Sequence, residues 1–156
     1  MLKDMMQRMN SQQTDSQNRV SLLPEGVQMN YSVEEDVLVV AGRGVRNDKD
    51  VEMCRELAEA LGGQLAFTRP MVENGFGDTA HQIGLSGRTV RPKLIITCGV
   101  SGAIQFTSCM NGSECIVAIN TDPNAQIFSV ADYCIVDDLY QAVPELTALA
   151  KKQKED

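Results

Sequence analysis

Residues 82–106 place two loops rich in glycine and hydroxyl side chains on either side of one apolar run. The first reads Gln-Ile-Gly-Leu-Ser-Gly-Arg-Thr-Val from Gln82, and the second Gly-Val-Ser-Gly-Ala-Ile-Gln-Phe from Gly99. Hydroxyls and main-chain amides are hydrogen-bond donors, and glycine lets the backbone come close to a bound group, so such loops suit an anionic or polar cofactor. Between them, Leu94-Ile95-Ile96-Thr97-Cys98 predicts a buried parallel strand, and Ser101 to Thr107 has the composition to start a helix directly after it. Gly99 and Gly102 would permit the tight turn and the approach to a ligand. The first amides of that helix would then present partial positive charge to a phosphate.

Other chemistries fit less of the pattern. Gly99-Val100-Ser101-Gly102-Ala103 partly matches a nucleophile elbow with Ser101 as nucleophile, but that motif needs glycine where Ala103 stands and a histidine downstream. The one histidine, His81, lies upstream and reads as a loop residue. Gly42-Arg43-Gly44 lacks the third glycine of a dinucleotide fingerprint. There is no Walker phosphate loop, and no carboxylate pair or His/Cys cluster has catalytic or metal-ligand spacing. The five cysteines, Cys54, Cys98, Cys109, Cys115 and Cys134, form no Cys-x-x-Cys pair and read as free thiols packed as small hydrophobes.

The elements that must position these loops follow from length and periodicity. A chain of 156 residues, 43% hydrophobic and 22% charged, suits one α/β domain with a real core. A net charge of −7 argues against a nucleic-acid partner. No apolar stretch reaches the roughly 20 residues of a membrane span, and no signal-peptide pattern opens the chain, so a cytoplasmic or matrix-soluble protein is expected. Residues 1–34 read as a flexible lead-in, with Leu2, Met5, Met6 and Met9 at helical spacing, and 151–156 as a charged tail. Within 35–150 strands and helices alternate. Val37 to Ala41 is a strand, followed by the turn Gly42-Arg43-Gly44 and a helix to Leu61 capped by Asp48 or Asp50 and ended by Gly62-Gly63. Gln64 to Phe67 is a second strand, Thr68 to Ala80 an irregular loop, and Cys115 to Asn120 a strand after a short helix. Ile127-Phe128 and Tyr133 to Val136 form a late short pair. Asp138 caps a last helix through Leu149, with a kink or restart at Pro144. Such alternation implies a parallel sheet flanked by helices whose ligand lies at the carboxyl ends of the strands, where each of these loops falls.

Several loops taken together carry a further signal. Gly42-Arg43-Gly44, Thr68-Arg69-Pro70-Met71-Val72, residues 82–90, residues 99–105, Ile119-Asn120 with Asp122-Pro123, and Ala131-Asp132-Tyr133 with Asp138-Leu139 resemble, in order and spacing, the C-terminal FAD domain of the electron transfer flavoprotein alpha subunit. The resemblance covers about residues 37–150. It implies a Rossmann-like domain of the kind shared with deoxyhypusine synthase, an FAD cofactor, a beta-type partner subunit, and electron transfer between acyl-CoA or other dehydrogenases and a downstream acceptor. It implies a carrier and not an enzyme in its own right. The intact family has another alpha-subunit domain ahead of this one, for which 156 residues are expected to leave no room.

Residue by residue, the resemblance implies that Arg69 packs over the isoalloxazine ring, that Ser86 hydrogen-bonds the flavin N5 and that Thr68 supplies a nearby hydroxyl. Gln82, Ile83, Gly84 and Leu85 would line the ring with backbone amides. Ser101, Gly102, Ala103, Ile104 and Gln105 would hold ribityl and pyrophosphate groups, with Arg43 adding charge beside the latter. Asn120, Asp138 and Leu139 would meet the adenosine end. Phe106 stands where the family commonly has a histidine and cannot donate to the flavin O2 side. Losing one charge-assisted bond worth about 1.5–3 kcal/mol corresponds to about 65–130 mV in a one-electron potential. Thr121 replaces the usual lysine, Cys109 and Cys134 stand at glycine positions, and Asp137 adds charge beside Asp138. A Cys134 held at positive φ would be strained. The alternative is a truncated or diverged assembly domain that keeps the fold without holding FAD.

Overall fold

The computed structural model describes residues 36–155; the lead-in helix expected from Leu2, Met5, Met6 and Met9 lies outside the described residues. Five strands carry the sheet: β1 (Val37–Ala41), β2 (Gln64–Phe67), β3 (Leu94–Cys98), β4 (Ile116–Asn120) and β5 (Tyr133–Val136). Their order is β2-β1-β3-β4-β5 and every pair is parallel. A parallel sheet is covered on both faces, which explains why β1 and β3 are apolar at successive positions rather than at alternate ones.

Successive side chains of each strand feed two different cores. One contains Val39, Ala41, Ile96, Cys98, Val117 and Ile119, packed under Val51, Cys54 and Leu57 of α1 (Asp48–Ala60) and Ala142, Val143 and Leu146 of α4 (Leu139–Glu155). The other contains Leu38, Val40, Ile95, Ile116 and Ala118, covered by Phe106 of the short α3 (Ile104–Thr107), Cys109, Met110, Ile127 and Ile83. The thicker helical layer thus sits on one face, and loops with short helices cover the other.

Several local expectations are corrected. Asn47, not Asp48 or Asp50, caps α1, its side chain accepting from the Asp50 amide at 3.0 Å. Asp50 is buried instead, its carboxylate accepting from the Arg46 amide and the Tyr140 hydroxyl. The stretch from Thr68 to Ala80 is not irregular throughout: α2 (Arg69–Glu73) follows Thr68, with Pro70 in the first turn where its missing N–H costs nothing, and a 3₁₀ turn spans Thr79–His81. Ile127 and Phe128 belong to a 3₁₀ turn, Gln126–Ser129, so β5 pairs with β4 alone. Asp138 does cap α4, but the helix runs through Pro144 and past Leu149 into the charged residues that read as a tail. No residue other than glycine has positive φ among the described residues, so Cys134 is unstrained.

The chain leaves β1 toward β2 on one side and returns to β3 on the other. The crevice between the carboxyl ends of β1 and β3 is therefore the switch point of the sheet, where ligands of such folds bind. The loops there touch backbone to backbone. Gly99, at φ +67°, has no room for a Cβ, which would lie 2.6 Å from the Gly44 Cα. Its close approach is to a neighbouring loop rather than to a ligand.

Gly99→Ala combines left-handed strain with that collision and should lower the unfolding free energy by about 1–3 kcal/mol in urea denaturation. Four cysteines are buried and Cys134 is exposed, so one thiol should react with a thiol reagent in the native protein and five after unfolding, the native one slowly because partial burial raises its pKa.

Candidate functional site

Two cavities open at the switch point. The larger, about 610 Å³, is bordered by Arg43, Thr68, Arg69, Ile83, Gly84, Leu85, Ser86, Ser101, Gly102, Ala103, Gln105 and Phe106 of the expected residues, with Pro70 and Val100 added. The second, about 440 Å³, is bordered by Asn120, Asp138 and Leu139, by Gly99, and by Gly44, Arg46, Thr121, Asp137 and Tyr140, which were not among the expected site residues. Arg43 and Ser101 border both. The two cavities therefore form one groove with a cation and a hydroxyl at its waist. Gln82 and Ile104 border neither cavity; Gln82 is buried behind the loop and Ile104 is 72% exposed.

Thr68 ends β2 and precedes α2, in the position of a helix cap, yet its hydroxyl makes no capping bond. It remains available to the groove. Arg69 opens α2 and pairs with Glu73, Nε to Oε1 at 2.7 Å, both side chains largely exposed. An exposed pair of this kind contributes at most about 1 kcal/mol, so the guanidinium can leave it for a ligand at little cost.

The amides of residues 82–85 do not face a ligand. They donate to Thr79 O, Phe67 O, Arg88 O and Gln105 O, respectively, because the segment is stitched to β2, to its own turn and to α3. What this loop offers the cavity is side chains, above all the Ser86 hydroxyl. In α3 the first donors used are the amides of Phe106 and Thr107, both to Ala103 O, so those of Ile104 and Gln105 fall in the first turn, where no intrahelical acceptor exists. Gly102, at φ +92°, lets this loop lie against Ile127, whose amide bonds Ser101 O at 2.9 Å.

At the far end, Asn120 is more a brace than a free ligand-binding group. Its amide nitrogen donates to Val100 O at 3.0 Å and its oxygen accepts from the Asp122 amide at 2.9 Å. Tyr140 points its hydroxyl at Asp50, whose adjacent carboxylate raises the phenol's pKa by stabilising the neutral donor. Arg43 and Arg46 border this cavity together with Asp137 and Asp138.

His81 is not in the groove. It pairs with Asp78, Nδ1 to Oδ1 at 2.6 Å, lowering the Asp78 pKa, and borders a separate cavity with Arg55 and Phe76. Ser101 thus has no histidine in its cavity, and the hydrolase reading loses its base. The Cys98 thiol, enclosed beside Cys54, has its pKa raised well above the ordinary value by a hydrogen bond to that thiol and by burial. No group of three metal-ligating side chains exists among the described residues, and no described helix is long and apolar enough to cross a membrane.

A flat cofactor with an anionic middle fits the groove's chemistry: an apolar wall of Ile83, Val100 and Phe106 with hydroxyls at one end, an arginine at the waist and polar side chains at the other end. An all-parallel sheet of this order with such a groove at its switch point defines an α/β nucleotide-cofactor domain. The model of the electron transfer flavoprotein FAD-binding domain matches residues 33–111, and the chain belongs to that family, whose cofactor is FAD. It is 43% identical over 137 residues to an electron transfer flavoprotein subunit alpha of Megasphaera elsdenii, covering 86% of this chain and 40% of that protein. It is 46% identical over 116 residues to protein FixB of Azotobacter vinelandii, covering 74% of this chain and 32% of that one. It is 52% identical over 116 residues to the lactate dehydrogenase (NAD(+),ferredoxin) subunit LctC of Acetobacterium woodii, covering 74% and 28%. The relatives' names thus include both an electron transfer flavoprotein and a subunit of a dehydrogenase, and the chain spans between 28% and 40% of their length.

Asn120→Ala would release Val100 O and the Asp122 amide together and should lower the unfolding free energy by about 1–2 kcal/mol, read from the urea midpoint at unchanged slope.

Proposed function

We propose that this chain holds FAD along the two-part groove and serves as an electron carrier, between acyl-CoA-type or other dehydrogenases and a downstream acceptor, together with an electron transfer flavoprotein beta-type subunit. The observation that carries the reading is the grouping of Arg43, Thr68, Arg69, Ser86 and the Ser101 to Gln105 loop around one crevice. Arg43, Arg69, Ser86, Ser101 and Gln105 are exposed and none of them is needed to pack the sheet, while Thr68 is buried at the end of β2. The family membership supports the cofactor, and the relatives' names support the carrier role.

FAD when bound supplies the redox chemistry. The protein's part is to bind, orient and tune. Ile83, Val100 and Phe106 offer an apolar surface for the ring system and exclude water from it. Ser86 and Thr68 donate hydroxyl hydrogen bonds at the ring edge. Arg69 brings a permanent positive charge to the ring, favouring electron-rich states. Arg43 and Ser101 hold the diphosphate at the waist, and Asn120, Asp138 and Leu139 border the adenosine end. No side chain in this scheme forms a covalent bond, which is why we read the chain as a carrier and not as an enzyme by itself. A cytoplasmic or matrix location accords with this role.

Purified chain incubated with FAD and desalted should show flavin absorbance near one equivalent, and Arg69→Ala or Ser86→Ala should reduce retention by about tenfold in affinity. Absence of bound flavin in the wild-type chain, with co-purification of a beta-type subunit, would overturn the carrier reading in favour of an assembly module. In the loaded protein, Phe106→His should raise the one-electron potential by about 65–130 mV in a redox titration, by returning a donor to the ring.

A further inference from the structure

Gln82 is the one expected site residue of its loop that borders neither cavity of the groove, and it is almost fully buried. Its side chain nevertheless reaches the groove through another residue. The Gln82 amide Nε2 donates to the Ser86 hydroxyl at 2.8 Å. A serine hydroxyl has two lone pairs and one proton. With a lone pair occupied by the amide, the proton is left for another acceptor, and Ser86 borders the larger cavity.

The bond is not needed to close the turn. Main-chain bonds already do so: the Arg88 amide donates to Gln82 O at 2.8 Å, the Gly87 amide to Gly84 O at 2.9 Å and the Gly84 amide to Arg88 O at 3.1 Å. Gly87 allows this closure because a Cβ there would lie 2.3 Å from Gln82 O. Gln82 is itself anchored, bridged to Phe67 at the end of β2. The side-chain amide is thus a fixed donor on a rigid element, facing a hydroxyl that would otherwise rotate freely on an exposed turn.

We propose that Gln82 is a positioning residue, whose side-chain amide orients the Ser86 hydroxyl as a hydrogen-bond donor toward an acceptor atom of the ligand ring in the larger cavity. The inference rests on the FAD reading above for the identity of the ring, but not for the orientation itself. It distinguishes glutamine from its acid. In Gln82→Glu the carboxylate accepts the serine proton, turning the hydroxyl away from the ligand, with little change in volume.

Two measurements on the full chain test this. In ¹⁵N–¹H spectra without ligand, Ser86→Ala should shift the Gln82 side-chain amide resonances, whereas an unmoved pair would overturn the hydrogen bond. In FAD titrations followed by flavin fluorescence, Gln82→Glu and Ser86→Ala should each weaken binding by about tenfold, and the double variant should be no weaker than Ser86→Ala alone. Gln82→Met keeps the volume without placing a charge in the interior, guards against loss of fold as followed by circular dichroism, and should fall between wild type and Ser86→Ala. Wild-type affinity in Gln82→Glu, or additive losses in the double variant, would overturn the proposal. Should the wild-type chain take up no FAD, the function proposed above fails, while the amide shift still decides whether Gln82 orients Ser86.

Discussion

The groove exists because two backbone turns touch without side chains between them. Gly42 and Gly44 after β1 lie against Gly99 and Val100 after β3, close enough that a Cβ at Gly44 would sit 2.7 Å from the Gly99 Cα. The Gly42 and Gly44 amides bond Cys98 O and Gly99 O, both at 2.9 Å. β1 and β3 are neighbours in the sheet only because the chain reverses its direction of winding there. The contact therefore locks the switch point, and with it the positions of Arg43 and Ser101, the two side chains common to both halves of the groove. A larger residue at any of these glycines would separate the halves.

Around that lock the polar groups divide between those consumed by the fold and those left for a ligand. The amides of residues 82–85, both ends of the Asn120 side chain and the Asp50 carboxylate are occupied within the protein. Thr68 makes no capping bond, and Arg69 is held only by an exposed ion pair. Arg43 borders both cavities. Burying a polar group without a partner is costly, so a buried loop satisfies its backbone first and leaves recognition to the side chains at its rim. The exposed apolar side chain of Leu85 lies at that rim too, its loop tied to α3 by the bond from the Leu85 amide to Gln105 O.

Much of this was legible in the chain. Short, mostly apolar runs, each followed by glycine, hydroxyl, Asn/Asp or Pro residues, define β1, β2, β3 and β4 and the side of the sheet on which the loops emerge. The helix periodicity of Val51, Cys54, Leu57 and Ala58 is a local property and survives folding unchanged. The errors fell where local preference is weak or where a distant partner decides. Asp48 and Asp50 are both good caps by type, but Asn47 has the position, and Asp50 is drawn inward by Tyr140, 90 residues away. Ile127 and Phe128 look like strand residues and instead wind into a 3₁₀ turn, because Gly102 packs against the backbone of Ile127. Lys151 and Lys152 read as a tail yet continue α4.

The class of fold, the loops that could meet a cofactor and the family can all be read along the chain, since they depend on periodicity, on glycine and hydroxyl placement and on motif order. Which groups in those loops are free to act follows from the folded arrangement. The Leu85 amide is taken by Gln105 O, and the Ser86 hydroxyl accepts from the Gln82 side-chain amide. Hydrogen-bond partners of this kind are assigned by which loops the sheet brings together, and local residue preference carries no information about them.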